Sequence, residues 1–287
     1  MIRIARRFHC GAPGSSGYAL AFRRPAHYAR SMPTTTRETV LEERDGGVLV
    51  LTLNRPRQRN AFNRQMWHEL RDALADAQED AAVRAVIVTG RDGAFSAGQD
   101  LGEMTGAEDP GFGSFMDRLC EFDKPLLAAV NGVGVGIGLT LLLHCDVVFI
   151  AAGARLRPPF VTLGVVPEAA SSHLLPAAIG WQRAAEVLFT ADWIDAARAV
   201  ELGLASRLCA PDELLPAVRA LASRIAAQPP QAVRHTKRLL MATRSALIRD
   251  ARGREDRAFA ERVGSAENVE AISAFFEKRA PDFSKLA

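Results

Sequence analysis

The most informative stretch of this sequence is Phe95-Ser96-Ala97-Gly98-Gln99-Asp100-Leu101. A second glycine loop, Asn131-Gly132-Val133-Gly134-Val135-Gly136-Ile137-Gly138, follows it about one strand–helix unit later. Two such loops can each point a backbone N–H group at the same carbonyl oxygen. Together they predict an oxyanion hole, which stabilises the charge that develops on that oxygen in a transition state.

Gly98 and Ile137 set the expected geometry of the two loops. Gly98 permits a backbone conformation that a β-carbon would obstruct, so that Gln99 donates its N–H into a cleft. The second loop leads into an apolar helix that starts at about Leu139, and the N–H of Ile137 is expected to face the same oxygen. An ordinary turn and tight helix–strand packing are the alternatives for these glycines. A dinucleotide-binding loop fits poorly, because the glycines alternate strictly and no acidic residue follows at the ribose-binding distance.

Glu168 is a single acid in the apolar stretch from Pro159 to Ser172. Burial there would raise the pKa of its carboxyl group and suit it to act as a base near neutral pH. The alternative is a structural role, in which Pro167-Glu168 opens a helix over Ala169–Leu175. From the local sequence alone, the structural role is favoured.

The 287 residues suggest one large domain with an appendage. Residues 1–31 carry six arginines and no acid, so the body of the chain is acidic although the net charge is +3. Three interpretations of this segment stay open: an upstream stretch before a true start at Met32, a disordered tail, or an organellar transit peptide. The acidic body argues against nucleic-acid binding, and no apolar run reaches the ~20 residues of a membrane span. The four cysteines are far apart and lack zinc spacing, which indicates reduced thiols in a cytoplasmic protein.

From Val40 the pattern is that of an α/β protein whose C-terminal part is helical. The predicted strands are 48–53, 83–89, 125–130 and 146–151, and the predicted helices are 63–80, a helix from about 139, 181–188, 195–202, 214–227, 232–262 and 268–278.

These features together resemble the crotonase (enoyl-CoA hydratase/isomerase) superfamily over about Val40 to Phe283. The resemblance rests on the order and spacing of several short motifs: Asn54-Arg55-Pro56 with Arg59-Asn60-Ala61-Phe62, Phe95–Leu101, Ala129-Val130-Asn131-Gly132, Cys145-Asp146, Phe275-Phe276-Glu277-Lys278-Arg279 and Pro281-Asp282-Phe283. It implies a crotonase spiral of ββα units over residues 32–225 and a helical trimerisation region over residues 226–287. A homotrimer or a dimer of trimers is therefore expected.

The resemblance also implies an acyl-CoA thioester substrate, with no metal and no cofactor other than the coenzyme A of the substrate. The thioester carbonyl would be held by the N–H groups of Gln99 and Ile137. The residues implied in substrate or coenzyme A binding are Arg57, Arg59, Ala61, Ser96, Ala97, Gly98, Asp100, Leu101, Gly136, Phe283 and Lys285. For the two arginines, solvated surface charge remains an equal alternative. Phe112, Phe115, Met116 and Leu119 are expected either around the acyl chain or in the core.

Which reaction of the superfamily is expected depends on where the acidic side chains stand. Hydratases of the superfamily carry two glutamates, and their positions correspond here to Thr140 and Phe160. The segment around Glu168 instead resembles that of Δ3,Δ2-enoyl-CoA isomerases, in which a glutamate at this position is the base. The resemblance therefore reverses the local preference and favours an isomerase. Hydration, another crotonase reaction, or acyl-CoA binding without turnover are the alternatives.

Overall fold

The computed structural model describes residues 37–103 and 111–286, and the extension predicted over residues 1–31 lies outside them. The strands in the described ranges are β1 (Val40–Asp45), β2 (Val48–Leu53), β3 (Ala85–Gly90), β4 (Ala94–Ser96), β5 (Leu126–Val130), β6 (Val133–Val135), β7 (Val147–Ala151), β8 (Arg155–Arg157), β9 (Ile194–Asp195) and β10 (Arg207–Cys209). The α-helices in the same ranges are α1 (Arg64–Glu79), α2 (Phe112–Glu121), α3 (Ile137–Thr140), α4 (Ser171–Ile179), α5 (Trp181–Thr190), α6 (Ala196–Leu202), α7 (Leu214–Ala226), α8 (Pro230–Ala242), α9 (Ser245–Arg262) and α10 (Ala266–Glu277).

From β3 to β8, consecutive strands alternate between two sheets. The larger sheet has the order β1-β2-β3-β5-β7-β10, and the smaller has the order β4-β6-β8-β9. The pairs β3/β4, β5/β6 and β7/β8 therefore each contribute one strand to each sheet, and a helix follows each pair. Strands of successive pairs run parallel, with Val86 opposite Leu126 in the larger sheet and Ala94 opposite Val133 in the smaller. This is the predicted spiral of ββα units.

Local sequence explains the main elements. The side chains of β3 and β5 are almost all buried, as expected for parallel strands covered on both faces. Helix α1 begins where the Asn63 side chain accepts a hydrogen bond from the Met66 N–H group at 3.0 Å. Its buried stripe repeats at helical spacing and consists of Met66, Trp67, Leu70, Ala73, Leu74 and Ala77.

One helix prediction is wrong, and a second holds only in part. The helix predicted over residues 232–262 is two helices, α8 and α9, because Arg244 between them leaves the helical region with a φ of −122°. The break lets α9 pack against α4, and this tertiary contact overrides the continuous helical pattern. The helix after the second loop is a single α-turn, α3, followed by a 3₁₀ turn over Leu141–His144. Among the described residues, no helix is long and apolar enough to cross a membrane.

Candidate active site

The first glycine loop pairs with the chain just before α1. The Phe62 N–H donates to the Gly98 carbonyl at 2.7 Å, and the Asp100 N–H donates to the Phe62 carbonyl at 2.9 Å. These two bonds flank Gln99 in a parallel bridge, so the N–H of Gln99 itself points away from Phe62. The pairing leaves that N–H directed to the other side of the loop, as the predicted oxyanion hole requires.

The second glycine loop lies against the first, backbone to backbone. Gly98 has a φ of +92°, and a β-carbon there would lie 2.8 Å from the Val135 carbonyl oxygen. A β-carbon on Gly138 would lie 2.7 Å from the Ser96 carbonyl oxygen. The predicted close packing of these glycines therefore holds at both positions. The contact brings Gln99 near Ile137, the first residue of α3, whose N–H has no acceptor within the helix. That both N–H groups hold one oxygen stays a prediction.

Glu168 lies beside α3. The hydroxyl of the fully buried Thr140 donates to Oε1 of Glu168 at 2.7 Å. Because α3 is one turn long, Thr140, whose hydroxyl holds this carboxyl group, lies about one helical turn, on the order of 5 Å along the axis, from Ile137. The structure thus joins Glu168 to the second glycine loop through Thr140, one of the two positions that the resemblance matches to hydratase glutamates.

Burial raises the pKa of Glu168 to about 8. The Thr140 hydrogen bond lowers the pKa, whereas the charges of Glu255 and Asp256 raise it further. The residue as a whole is half-buried, but its carboxyl group is surrounded by protein. A carboxyl group with this pKa exchanges its proton near neutral pH, which is the property that a general base needs.

The backbone that follows Glu168 is strained. Ala169 and Ala170 both have a φ of +59°, in the left-handed region that costs a residue with a β-carbon about 1–2 kcal/mol. Helix α4 consequently begins only at Ser171, and the Ser171 hydroxyl donates back to the Glu168 carbonyl at 2.6 Å. The structural alternative, a helix opened by Pro167-Glu168 over Ala169–Leu175, is wrong because these two alanines are not helical.

Two buried side chains, Glu255 and His144, hold this turn. Glu255 of α9 accepts hydrogen bonds from the Ala170 N–H at 2.6 Å and the Ser172 N–H at 2.8 Å. His144 contacts the Ala169 carbonyl through Nε2 at 2.8 Å, and burial lowers its pKa to about 4. The neutral imidazole therefore donates to that carbonyl, which is a structural role. Glu255 lies in a charged helix, where local sequence does not distinguish it from a surface acid.

Three of the expected substrate-binding residues shape the first loop instead of pointing side chains at a ligand. The buried Ser96 hydroxyl donates to the Asn60 carbonyl at 2.9 Å, and the Ala97 N–H donates to the Arg59 carbonyl at 2.9 Å. Asp100 pairs with Arg55 at 2.9 Å. These contacts fix the conformation of the loop, while the backbone of the same residues remains the expected contact surface for coenzyme A.

The remaining expected contacts are dispersed. Arg57 and Arg59 are exposed near the first loop, and Ala61 is buried beside it, with its carbonyl accepting from Arg55. Leu101 is half-buried where a 3₁₀ turn begins, and the Gly136 N–H is taken by the Arg157 carbonyl at 2.9 Å. Phe283 and Lys285 lie in the C-terminal 3₁₀ turn Phe283–Lys285, which is tied to α10 by a hydrogen bond from the Asp282 N–H to Glu270.

Most of the apolar residues considered for an acyl pocket belong to the core. Phe115 and Met116 are fully buried, and the Phe115 ring lies 5.2 Å from the Trp67 ring. Trp67 in turn donates through Nε1 to the Gln99 side chain at 2.9 Å. This aromatic cluster therefore supports the first loop from behind, as the core interpretation of these residues predicts.

Comparison with known proteins gives consistent matches. The profile of the enoyl-CoA hydratase/isomerase family matches residues 43–285. A crotonyl-CoA hydratase of Syntrophomonas wolfei is 35% identical over 254 residues, covering 86% of this chain and 98% of its own length. A 1,2-epoxyphenylacetyl-CoA isomerase of Escherichia coli is 32% identical over 265 residues, covering 86% and 98%. The crystal structure of an enoyl-CoA hydratase/isomerase from Pseudoalteromonas atlantica superposes with a TM-score of 0.83 at 38% identity, covering 85% of this chain and 99% of that one.

Proposed function

Because the chain belongs to the enoyl-CoA hydratase/isomerase family and has the crotonase fold, we propose that it is an enoyl-CoA isomerase with Glu168 as its base. Family membership establishes the class of enzyme and a CoA thioester as the kind of substrate. The proposal concerns the reaction, which the family leaves open between hydration and isomerisation.

The observation that carries the proposal is the buried Glu168 carboxyl group beside the second glycine loop, with no acid at positions 140 and 160. Glu168 is hydrogen-bonded to Thr140, and Phe160, at the second position where hydratases carry a glutamate, is buried and apolar. Adding water to a double bond needs a group that positions and activates the water, and a pair of carboxylates suits that task. Moving a double bond needs only one group that removes a proton and returns it elsewhere.

The proposed reaction uses this one group twice. The ionised Glu168 removes a proton from C2 of a 3-enoyl-CoA, and the electron pair moves onto the thioester oxygen. The N–H groups of Gln99 and Ile137 stabilise that oxygen, an effect that typically contributes several kcal/mol. Glu168 then returns the proton to C4, and the product is the conjugated 2-enoyl-CoA. Each step is proton transfer, so we propose that no metal or further cofactor takes part.

Hydration is the second candidate, because most of the similar proteins are named hydratases. Similarity over the whole sequence therefore favours hydration. The residues at positions 140 and 160 argue against hydration, because neither is an acid. Another crotonase reaction would use the same loops and base. A binding protein without turnover would have no use for a desolvated acid, which destabilises the fold at neutral pH.

The test supplies a 3-enoyl-CoA and measures formation of the conjugated thioester, and separately supplies a 2-enoyl-CoA and measures its loss. Isomerisation that is faster than hydration by an order of magnitude or more is expected. Glu168→Gln should lower isomerisation by about 10²–10⁴-fold, the usual contribution of a positioned base. Glu79→Gln, at the exposed end of α1, is the matched control for loss of one negative charge. Hydration without isomerisation would refute the proposal, and binding without either reaction would favour the non-enzymatic alternative.

We also propose a homotrimer, or a dimer of trimers, in which residues 226–287 form the association region around a core of residues 32–225. Large apolar side chains exposed on α5, α8 and α10 support this proposal: Trp181, Phe189, Leu239, Leu240, Val269, Phe275 and Phe276. Sedimentation equilibrium should give three or six times the mass of one chain, and a monomer would contradict it. A cytoplasmic location is proposed by analogy with the bacterial relatives.

A further inference from the structure

The turn Glu168–Ala170 has a backbone that would not persist by itself. Two consecutive alanines in the left-handed region lack the freedom of glycine, so the surrounding contacts must hold them there. Such strained backbone commonly occurs where a side chain has to be aimed. Here the residue immediately before the strained pair is Glu168, the acid that is hydrogen-bonded to Thr140 beside the second glycine loop.

Glu255 fixes this turn from the side of α9. It is buried, and its two carboxyl oxygens are used separately: Oε2 accepts from the Ala170 N–H at 2.6 Å, and Oε1 accepts from the Ser172 N–H at 2.8 Å. These N–H groups belong to the last strained residue and to the first turn of α4, where no helical acceptor exists. One side chain therefore satisfies both donors at the junction between the turn and the helix.

The position of Glu255 is itself set by packing. Ile248, Ala251 and Glu255 are the buried residues of α9, at intervals of three and four. Ile248 and Ala251 form a small apolar cluster with Ala170 and Leu174 of the α4 region. The carboxyl group thus reaches the turn from a helix that is already docked, whereas the next residue, Asp256, is exposed.

We propose that Glu255 is a positioning residue of the reaction, holding the Glu168–Ala170 turn so that the Glu168 carboxyl group stays beside Thr140 and the glycine loops. This inference rests on the proposed function, in which Glu168 is the base. Glu255 does not contact the reacting atoms, because both of its oxygens are bonded to backbone N–H groups. It acts on the rate through the orientation of Glu168.

A purely electrostatic effect is the competing explanation. Within residues 37–103 and 111–286, the charges that act on Glu168 are those of Glu255 and Asp256 of α9, and His144 lies nearby on the turn after α3. Asp256→Asn removes a negative charge that acts on Glu168 but leaves both hydrogen bonds of the turn intact. It is therefore the matched control for Glu255→Gln, which replaces one acceptor oxygen by a donor that opposes a backbone N–H.

The experiment measures isomerase kcat and KM for both variants across the pH range, in the protein with its full chain. Glu255→Gln is expected to lower kcat at the alkaline plateau by about 10- to 100-fold, with KM within about twofold of the original value. Asp256→Asn is expected to shift the pH limb and to keep the plateau. A Glu255→Gln plateau equal to that of the original protein would overturn the proposal, as would an equal loss in Asp256→Asn.

Glu255→Asp is the second variant, because it keeps the charge while the shorter side chain cannot reach both N–H groups. A lowered plateau in this variant supports positioning, and an unchanged plateau refutes it even if Glu255→Gln does not fold. Glu168→Gln distinguishes a failure of the proposed base from a failure of the positioning role. If Glu168→Gln keeps full activity, the proposed base is wrong. If it is inactive while the Glu255 variants keep the original plateau, only the positioning role is wrong.

Discussion

Replacing Glu168 by glutamine should stabilise the protein at alkaline pH while it removes the proposed base. Burial raises the pKa of Glu168 from 4.5 to about 8, and each unit of difference from the unfolded chain corresponds to about 1.4 kcal/mol. The folded state therefore favours the protonated carboxyl, and stability falls as pH rises from the unfolded pKa through the folded pKa. The full pKa shift would correspond to a loss of about 4–5 kcal/mol in the free energy of unfolding. Because the residue is half-exposed and solvent screens its charge, the expected loss is about 2–4 kcal/mol.

The assay compares urea unfolding of the original protein and Glu168→Gln from about pH 5 to about pH 9. The glutamine oxygen still accepts from Thr140, so the packing of the site is preserved. The variant should gain stability relative to the original as pH rises through this window and should gain no more above it. The exposed Glu79→Gln variant controls for the change in net charge. A stability difference that is the same at both ends of the pH range would refute the inference that the carboxyl group is desolvated.

Three further predictions concern the rate. The isomerase kcat/KM should rise toward alkaline pH with an apparent pKa near 8, because Glu168 must be ionised to act as a base; a profile already flat above about pH 5 would contradict this. Thr140→Val should move the alkaline rise of kcat/KM to higher pH and lower kcat by about tenfold, because the Thr140 hydroxyl stabilises the Glu168 carboxylate. Thr140→Ser keeps the hydroxyl and should preserve both the apparent pKa and kcat. Gly98→Ala should reduce kcat at least about 100-fold, because the added β-carbon would push the Val135 carbonyl away. Gly113→Ala is the control and should have little effect, since a β-carbon there meets nothing within 4 Å. Equal rates in the two alanine variants would contradict the loop geometry.

Much of the fold could be predicted from the sequence because its signals are local. Continuous apolar runs marked β3 and β5, and helical spacing marked α1. The glycine loops were recognised in the same way, since Gly98 and Gly138 occupy positions that exclude a β-carbon. The division between α8 and α9 was missed because both segments are helical by composition, and only packing against α4 decides where the chain breaks.

The candidate site, too, could be predicted only where its signals are local in the sequence. An isolated acid in an apolar stretch made Glu168 a candidate, and the order of the motifs pointed to the family and favoured Glu168 as the base. Residue order could not show that Thr140 donates to Glu168, that two alanines adopt left-handed backbone, or that Glu255 caps the turn from 85 residues further along the chain. Those features depend on which surfaces of distant helices meet when the core closes, and the direction of each hydrogen bond is fixed only by that packing.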